Sequence, residues 1–270
     1  MEFVEYGSSK GRLAVYFHGA PGAVEETAIF DSYARELNLR IVCFDRFAAE
    51  KSLDRESYYQ RLANEIEAEA LGEPVALIGF SIGSHVALEV AALLRDQVSH
   101  IHLISAVAPI TAGDFLESMA GGLVFKLARD KPLAFSLLTQ WQRIMAVLAP
   151  CLLVRMLFSS ATGADIELSK RDDFRSYIIP ILKQCFQKGA SGYTRDIKFY
   201  VTWPGVFDGC TSSVSIWHGS EDNWSPFSMA SYLCNALSGV TVVETMNGLS
   251  HYSCLLKAAP RICTHLAATE

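Results

Sequence analysis

The sequence concentrates little charge of either sign in any one place. Its 270 residues hold 23 Lys and Arg against 29 Asp and Glu, a net charge of −6 with a pI near 5.7, and no basic run. Such a chain offers neither a phosphate backbone nor an anionic bilayer an obvious positive surface, so no nucleic-acid and no membrane partner is expected. Seven cysteines (43, 151, 185, 210, 234, 254 and 263) form no C-x-x-C pair and no metal-ligand spacing. An odd, scattered set reads as reduced, mostly buried thiols in a cytoplasmic protein rather than a disulfide framework. The phosphate-binding patterns G-x-x-x-x-G-K-[ST] and G-x-G-x-x-G are also missing, which leaves no support for a nucleotide site. The opening Met1-Glu2-Phe3-Val4-Glu5-Tyr6 lacks a basic start followed by an apolar stretch, so neither signal peptide nor anchor is expected. The most membrane-like segment, Ile144 to Phe158, is broken by Pro150 and Arg155 and is shorter than the ~20 residues a spanning helix needs. It reads as helical structure covering something apolar.

What the chain does have is apolar content, at 50% of residues, arranged in alternating short and long patterns. Short β-branched or apolar runs recur at Leu13–Phe17, Arg40–Phe44, Val75–Ile78, His100–Val107, Val214–Trp217 and Thr241–Thr245. Helix-like stretches with three- and four-residue apolar spacing lie between most of them, at roughly 25–37, 55–70, 83–94, 226–237 and 252–267. The pattern predicts an α/β fold with a doubly wound, mostly parallel sheet. Between Pro109 and Gly209 strand signals nearly vanish and long apolar helices take over, interrupted by Gly121-Gly122, Pro132, Pro150, Gly163, Pro180 and Gly189. This predicts a core of residues 1–112 and 210–270 with a helical cap, 113–209, inserted in it.

Gly79-Phe80-Ser81-Ile82-Gly83 joins a strand run to a helix-like run. A tight strand-to-helix turn forces its central serine into a strained, exposed conformation and needs small flanking residues, which marks Ser81 as a candidate nucleophile. A serine hydroxyl needs a base and an acid to orient that base. His251, in Asn247-Gly248-Leu249-Ser250-His251, lies in a small-residue loop between the last strand and the final helix. Asp222, in Trp217-His218-Gly219-Ser220-Glu221-Asp222, leaves another strand and is the candidate acid, with Glu221 the adjacent competitor. Oxyanion donors are expected from Ile82 N–H, just after the serine, and from Ala20 N–H in the loop Phe17-His18-Gly19-Ala20-Pro21-Gly22, where His18 supports the loop. His85 reads as a packing residue, and His100, His102 and His265 have no ligand-like neighbours in sequence. No metal site is expected. Asp45-Arg46 reads as an ion pair that fixes its loop.

Together these residues resemble the α/β-hydrolase superfamily, in the capped group that includes esterases, proline iminopeptidase-like enzymes and carbon–carbon bond hydrolases. The H-G-x-P-G loop (His18 to Gly22), the G-x-S-x-G elbow (Gly79 to Gly83), the H-G-x-x-D-x-x-x-P segment (His218 to Pro226) and a terminal G-x-x-H (Gly248 to His251) match in order across nearly the whole chain. The resemblance implies Ser81 as nucleophile, Asp222 as acid, His251 as base and the Ala20 and Ile82 amides as oxyanion hole, with no cofactor. Serine at the elbow counts against haloalkane dehalogenases and epoxide hydrolases, which use aspartate there. Three departures stand out. Phe47-Ala48-Ala49-Glu50 replaces a Pro-Gly-x-Gly-like turn, Ser84 replaces the second glycine after the elbow, and only Phe3–Tyr6 precedes the strand entering the H-G loop, which suggests seven strands.

The expected activity is hydrolysis of a small, largely apolar ester, thioester, amide or lactone through an acyl-enzyme on Ser81. Carbon–carbon hydrolysis, acyl transfer, aminopeptidase activity and a low-turnover binding role are the alternatives. An aminopeptidase would need carboxylates for the substrate ammonium, which Glu117, Asp165, Glu167, Asp172 and Asp173 could offer, although these read more simply as solvated faces or caps. The expected apolar wall for a small-molecule substrate is Leu116, Met119, Leu123, Phe125 and Leu133, continued by Phe135, Leu137, Trp141, Ile144, Met145 and Leu148.

Overall fold

A computed structural model describes residues 1–50, 52–207 and 212–268. Seven strands form one sheet: β1 (Phe3–Gly7), β2 (Arg12–Phe17), β3 (Leu39–Phe44), β4 (Val75–Phe80), β5 (Val98–Ile104), β6 (Ser213–Gly219) and β7 (Val240–Met246). Their spatial order is β1-β3-β2-β4-β5-β6-β7. Only β1 runs antiparallel, pairing Phe3 with Phe44 and Gly7 with Arg40. Every residue of β4 is buried, because helices cover a parallel strand on both faces and no side chain needs to meet water. The expected doubly wound α/β class and the seven strands are therefore what the chain adopts.

The helices between strands are α1 (Asp31–Glu36), α2 (Arg55–Ala70), α3 (Ile82–Leu94), α10 (Phe227–Ala236) and α11 (His251–Ala268). α1 packs with α11 in one layer, and α2 packs with α3 in another. The single helix expected over 25–37 is instead a 3-10 turn, Val24–Phe30, followed by the short α1. The tighter winding turns Glu26, Thr27 and Phe30 inward, and Glu26 thereby reaches Tyr16 and Gly19.

Between β5 and β6 the described residues contain no strand. This segment holds α4 (Gly122–Asp130), α5 (Pro132–Leu148), α6 (Pro150–Leu157), α7 (Asp165–Leu168), α8 (Asp172–Gln187) and α9 (Ser191–Val201). Pro132 and Pro150 each stand at the first helical position, where a missing N–H costs nothing. The expected junction at 209/210 and Cys210 lie outside the described residues. The six described cysteines are all free, and Cys43, Cys185, Cys254 and Cys263 are buried. Among the described residues no helix is long and apolar enough to cross a membrane.

α11 takes its amino-terminal cap from this inserted segment. Asp165 is fully buried and accepts from Tyr252 N–H at 3.0 Å and Ser253 N–H at 2.7 Å, satisfying two of the free donors at the helix start. Of the two simpler readings of Asp165, a solvated face or a cap, the structure shows a cap, although on α11 rather than on its own helix. Asp165→Ala leaves both amides unpaired in a dry site, and urea titration should show a loss of about 1–3 kcal/mol. An unchanged midpoint would mean that water replaces the cap.

Candidate functional site

Ser81 leaves β4 with φ 54° and ψ −126°, a conformation that non-glycine residues seldom hold. The surrounding contacts leave it no alternative. Its N–H donates to Ile104 O at 3.0 Å, and its carbonyl accepts from Ser84 N–H at 2.9 Å and Ser84 Oγ at 2.6 Å. Ser84 Oγ in turn accepts from Val107 N–H at 3.1 Å. The serine that stands where the family has glycine is thus a bracket between the elbow and the end of β5. Gly83 cannot vary, since a Cβ there would come within 2.0 Å of Phe17 O.

The other two residues arrive from the ends of β6 and β7. His251 is the first residue of α11, and its Nδ1 lies 2.8 Å from Asp222 Oδ2. The other carboxylate oxygen accepts from Trp224 N–H and Ser225 N–H, both at 2.9 Å. Burial pushes the Asp222 carboxyl up, but the His251 charge and hydrogen bond, with His218 and Ser225 N–H, outweigh that and hold it below the usual range. An ionised acceptor fixes the His251 proton on Nδ1 and leaves Nε2 as the basic nitrogen. Trp224 stacks on the imidazole at 5.6 Å and 17°, and Phe80 meets it at 4.8 Å. Glu221 is exposed, and its own N–H is spent on Leu249 O at 3.0 Å. Among the described residues no hydrogen bond joins Ser81 to His251. Such contacts often tighten only when substrate is present.

Ala20 N–H belongs to the same peptide group as Gly19 C=O, so whatever holds the carbonyl aims the amide the opposite way. Gly19 O receives His18 Nδ1–H at 2.8 Å and Arg46 Nη2–H at 3.3 Å, and Arg46 also donates to His18 O at 2.8 Å. From the other side Gly19 N–H donates to Glu26 Oε1 at 2.8 Å, where Tyr16 OH also donates at 2.7 Å. Burial raises the Glu26 carboxyl to about 7 against the pull of these donors and of Arg46 and His251. Burial, with the Arg46 charge adding to it, keeps His18 neutral. Among the described residues neither Ala20 N–H nor Ile82 N–H donates to a protein acceptor, so both are free for a ligand oxygen.

Arg46 does not pair with Asp45, as its sequence neighbour suggested. Its Nε donates to Asp196 Oδ2 at 2.7 Å, both groups being buried, while Asp45 turns outward to Lys188 at 3.1 Å. Tyr58 OH and Arg195 share the other Asp196 oxygen. Asp196 lies on α9, so the inserted segment supplies the counter-charge for the residue that positions the Ala20 loop. This partnership spans 150 residues and left no signal in local sequence.

Ser81, Ile82, Ala20, Trp224 and Ser225 border a narrow cavity of about 50 Å³, lined on its other side by Val124 and Phe125 of α4, Gln142 of α5, Leu157 of α6 and Tyr193 and Ile197 of α9. Drug-sized ligands occupy about 300–1,000 Å³, so a ligand of that size needs more room than this cavity has. Of the expected wall, Met119 and Phe125 border this cavity. Phe135 is buried within the inserted segment, and Leu123, Leu133, Leu137, Trp141, Ile144 and Leu148 are exposed on its outside, because one helix face alone can point inward. Glu117, Glu167, Asp172 and Asp173 are exposed, and among the described residues no carboxylate borders the cavity. A larger hollow of about 810 Å³ lies between the starts of β2, β3 and β4, at the opposite end of the sheet from Ser81.

Sequence reasoning also missed a cluster of three imidazoles. His100 and His102, two apart on β5, face the same way and meet His265 of α11, with one ring nitrogen of each within 4.8 Å of the others. Trp217 Nε1–H donates to His102 Nδ1 at 3.2 Å, which spends that lone pair and puts the His102 proton on Nε2. The set therefore offers a cation two lone pairs at most, and its rings pack α11 on the sheet.

A match to the alpha/beta hydrolase family model spans residues 14–262. The chain belongs to the alpha/beta hydrolase family. Solved structures share its fold at low identity. A bromoperoxidase from Bacillus anthracis is 16% identical with a TM-score of 0.68, covering 99% of this chain and 95% of that one. An esterase from Exiguobacterium antarcticum is 18% identical with a TM-score of 0.63, covering 98% and 93%. An alpha/beta hydrolase fold protein from Nakamurella multipartita is 15% identical with a TM-score of 0.66, covering 99% and 96%. No curated protein sequence matches the hydrolase significantly.

Two measurements probe how the hydrolase holds this site. Asp196→Ala strands the Arg46 guanidinium in a dry pocket, and denaturant unfolding should show a loss of about 3–5 kcal/mol. A loss below ~1 kcal/mol would indicate that Arg46 finds water instead. The imidazole cluster sets an acid limit. Burial, and then the His265 charge, lowers His100 to about 4, and burial likewise lowers His102. An unfolded histidine titrates near ~6.5, so as pH falls protons bind the unfolded chain first and stability is lost from ~6.5 down to about 4. His100→Gln should flatten the fall in melting temperature across that window. Superimposable wild-type and variant curves would place the acid sensitivity elsewhere.

Proposed function

We propose that this protein is a serine hydrolase that cleaves a small, largely apolar carboxylic ester, or a thioester, amide or lactone of similar shape. The observation that carries the reading is the buried Asp222–His251 pair at 2.8 Å on the same end of the sheet as the strained Ser81 elbow. His251 Nε2 takes the Ser81 proton as Oγ attacks the carbonyl carbon, and Asp222 stabilises the resulting imidazolium. The carbonyl oxygen becomes an oxyanion facing Ala20 and Ile82 N–H, donors fixed before substrate arrives. Collapse expels the alcohol, thiol or amine, which takes the proton from His251. Water then repeats the sequence on the acyl-enzyme, giving its proton to His251 and releasing the acid and free Ser81. No group outside the chain is required.

Several observations support this over the alternatives. An aminopeptidase needs a carboxylate beside the substrate ammonium, and among the described residues none borders the cavity. The apolar lining suits an acyl chain, and the esterase from Exiguobacterium antarcticum shares the fold. The helical segment acts as a cap over the site, with residues 113–209 inserted in a core of 1–112 and 210–270.

The test is turnover of p-nitrophenyl esters from acetyl to dodecanoyl. A chain-length optimum is expected, with Ser81→Ala and His251→Ala each lowering kcat about 10³-fold or more and Asp222→Asn about 10³–10⁴-fold. Full activity in Ser81→Ala would end the proposal. Silence of the folded wild type on every ester would shift it to carbon–carbon or narrow amide cleavage.

A further inference from the structure

The inserted helices are apolar on both sides. On α5, Leu133, Leu137, Trp141, Ile144 and Leu148 follow one another at three- and four-residue steps along a single stripe. All five are exposed, Leu133 at 85% and Leu148 at 77%. The opposite face of the same helix, with Phe135, Thr139, Gln142 and Ala146, is buried. Leu123 of α4 and Leu152 and Met156 of α6 are exposed as well, and α4 and α6 both pack against α5. A continuous apolar surface of this kind on a water-borne protein marks a contact surface.

Charge selects its occupant. Of the 23 Lys and Arg in the chain, five lie within residues 121–157, against only one of the 29 Asp and Glu. That carboxylate, Asp130, pairs with Arg129. Lys126, Lys131, Arg143 and Arg155 are exposed and form no salt bridge among the described residues. The stretch that carries the apolar stripe is thus locally basic in an otherwise acidic protein. A second copy docked face to face would set these cations against each other, whereas anionic headgroups would answer them while acyl chains received the leucines.

We propose that the outer face of α4, α5 and α6 docks on an anionic lipid bilayer, with α5 lying in the plane of the interface. α5 is too short to span, and Trp141 on the stripe is the residue type that settles at headgroup depth. The expectation of no membrane partner rested on whole-chain charge, which hides this local reversal. The inner faces of the same three helices line the cavity beside Ser81, so docking sets the site's cover against the lipid. The docking itself does not rest on the catalytic reading.

The experiment is sedimentation of the full chain with vesicles of phosphatidylcholine alone or of equal parts phosphatidylcholine and phosphatidylglycerol. Wild type should partition to the anionic vesicles at least ~10-fold better than to the neutral ones, less so at high salt. Trp141 emission should shift to the blue. Leu137→Glu/Ile144→Glu should lower anionic-vesicle binding ~10-fold or more while keeping the wild-type circular dichroism spectrum and melt. Lys126→Gln/Arg143→Gln/Arg155→Gln should lose the preference for anionic lipid. Ser81→Ala should sediment like wild type whatever its turnover, which separates this proposal from the catalytic one. Wild type that stays in the supernatant with both vesicles overturns the proposal, as does a double variant that binds like wild type. So would lipid-independent dimers that the double variant dissolves, which would make the occupant a second copy of the chain.

Discussion

Arg46 carries a full positive charge into a buried place, and its Nε and Nη2 donors are both answered there. Asp196 answers the charge at 2.7 Å, and the backbone oxygens of His18 and Gly19 take the remaining donors on that side. Burying either partner alone would be costly, so the loop and α9 are held to each other by the need to keep the pair intact. The consequence is geometric. Because the Gly19 carbonyl points at Arg46, the Ala20 amide points away from it, and its direction is set by a counter-ion from a helix that follows β5 by many residues. The Glu26 carboxylate secures the same loop from its other side.

Among the described residues, buried polar ties join the inserted segment to the end of the sheet that bears the proposed site. Asp196 holds the loop bearing Ala20, and Asp165 caps the helix bearing His251. Both are buried polar contacts whose rupture leaves unsatisfied groups. By contrast α4, α5 and α6 reach the cavity of about 50 Å³ through Val124, Phe125, Gln142 and Leu157, beside Tyr193 and Ile197 of α9. α7 and α9 thus carry the polar ties to the loops of the proposed catalytic groups, while the outward apolar stripe lies on α5.

The site is held by strain as well as by charge. Ser81 occupies a backbone conformation that costs on the order of 1–3 kcal/mol in isolation. Ser84 and the end of β5 absorb that cost with three hydrogen bonds to its amide and carbonyl. Ser84 had looked like a mild departure from glycine. Its hydroxyl, shared between Ser81 O and Val107 N–H, makes it part of the elbow's support instead.

Much of this was legible in the chain. Strand and helix order follow from apolar periodicity, which is local, and the elbow from two glycines flanking a serine where strand becomes helix. Asp222 and His251 could be singled out because both follow a strand in a small-residue loop, and such loops share one end of a parallel sheet. What local pattern could not give were the partnerships that need three dimensions: Arg46 with Asp196 rather than Asp45, Asp165 as the cap of a helix almost ninety residues away, and His265 meeting His100 and His102. Nor could it divide the apolar residues of the inserted helices between inside and outside. Leu133 and Phe135 are equally apolar and two residues apart, yet one is exposed and the other fully buried. Sequence fixes the spacing of apolar residues along a helix, but which of two apolar faces is covered depends on what packs against it, and that only the folded arrangement decides.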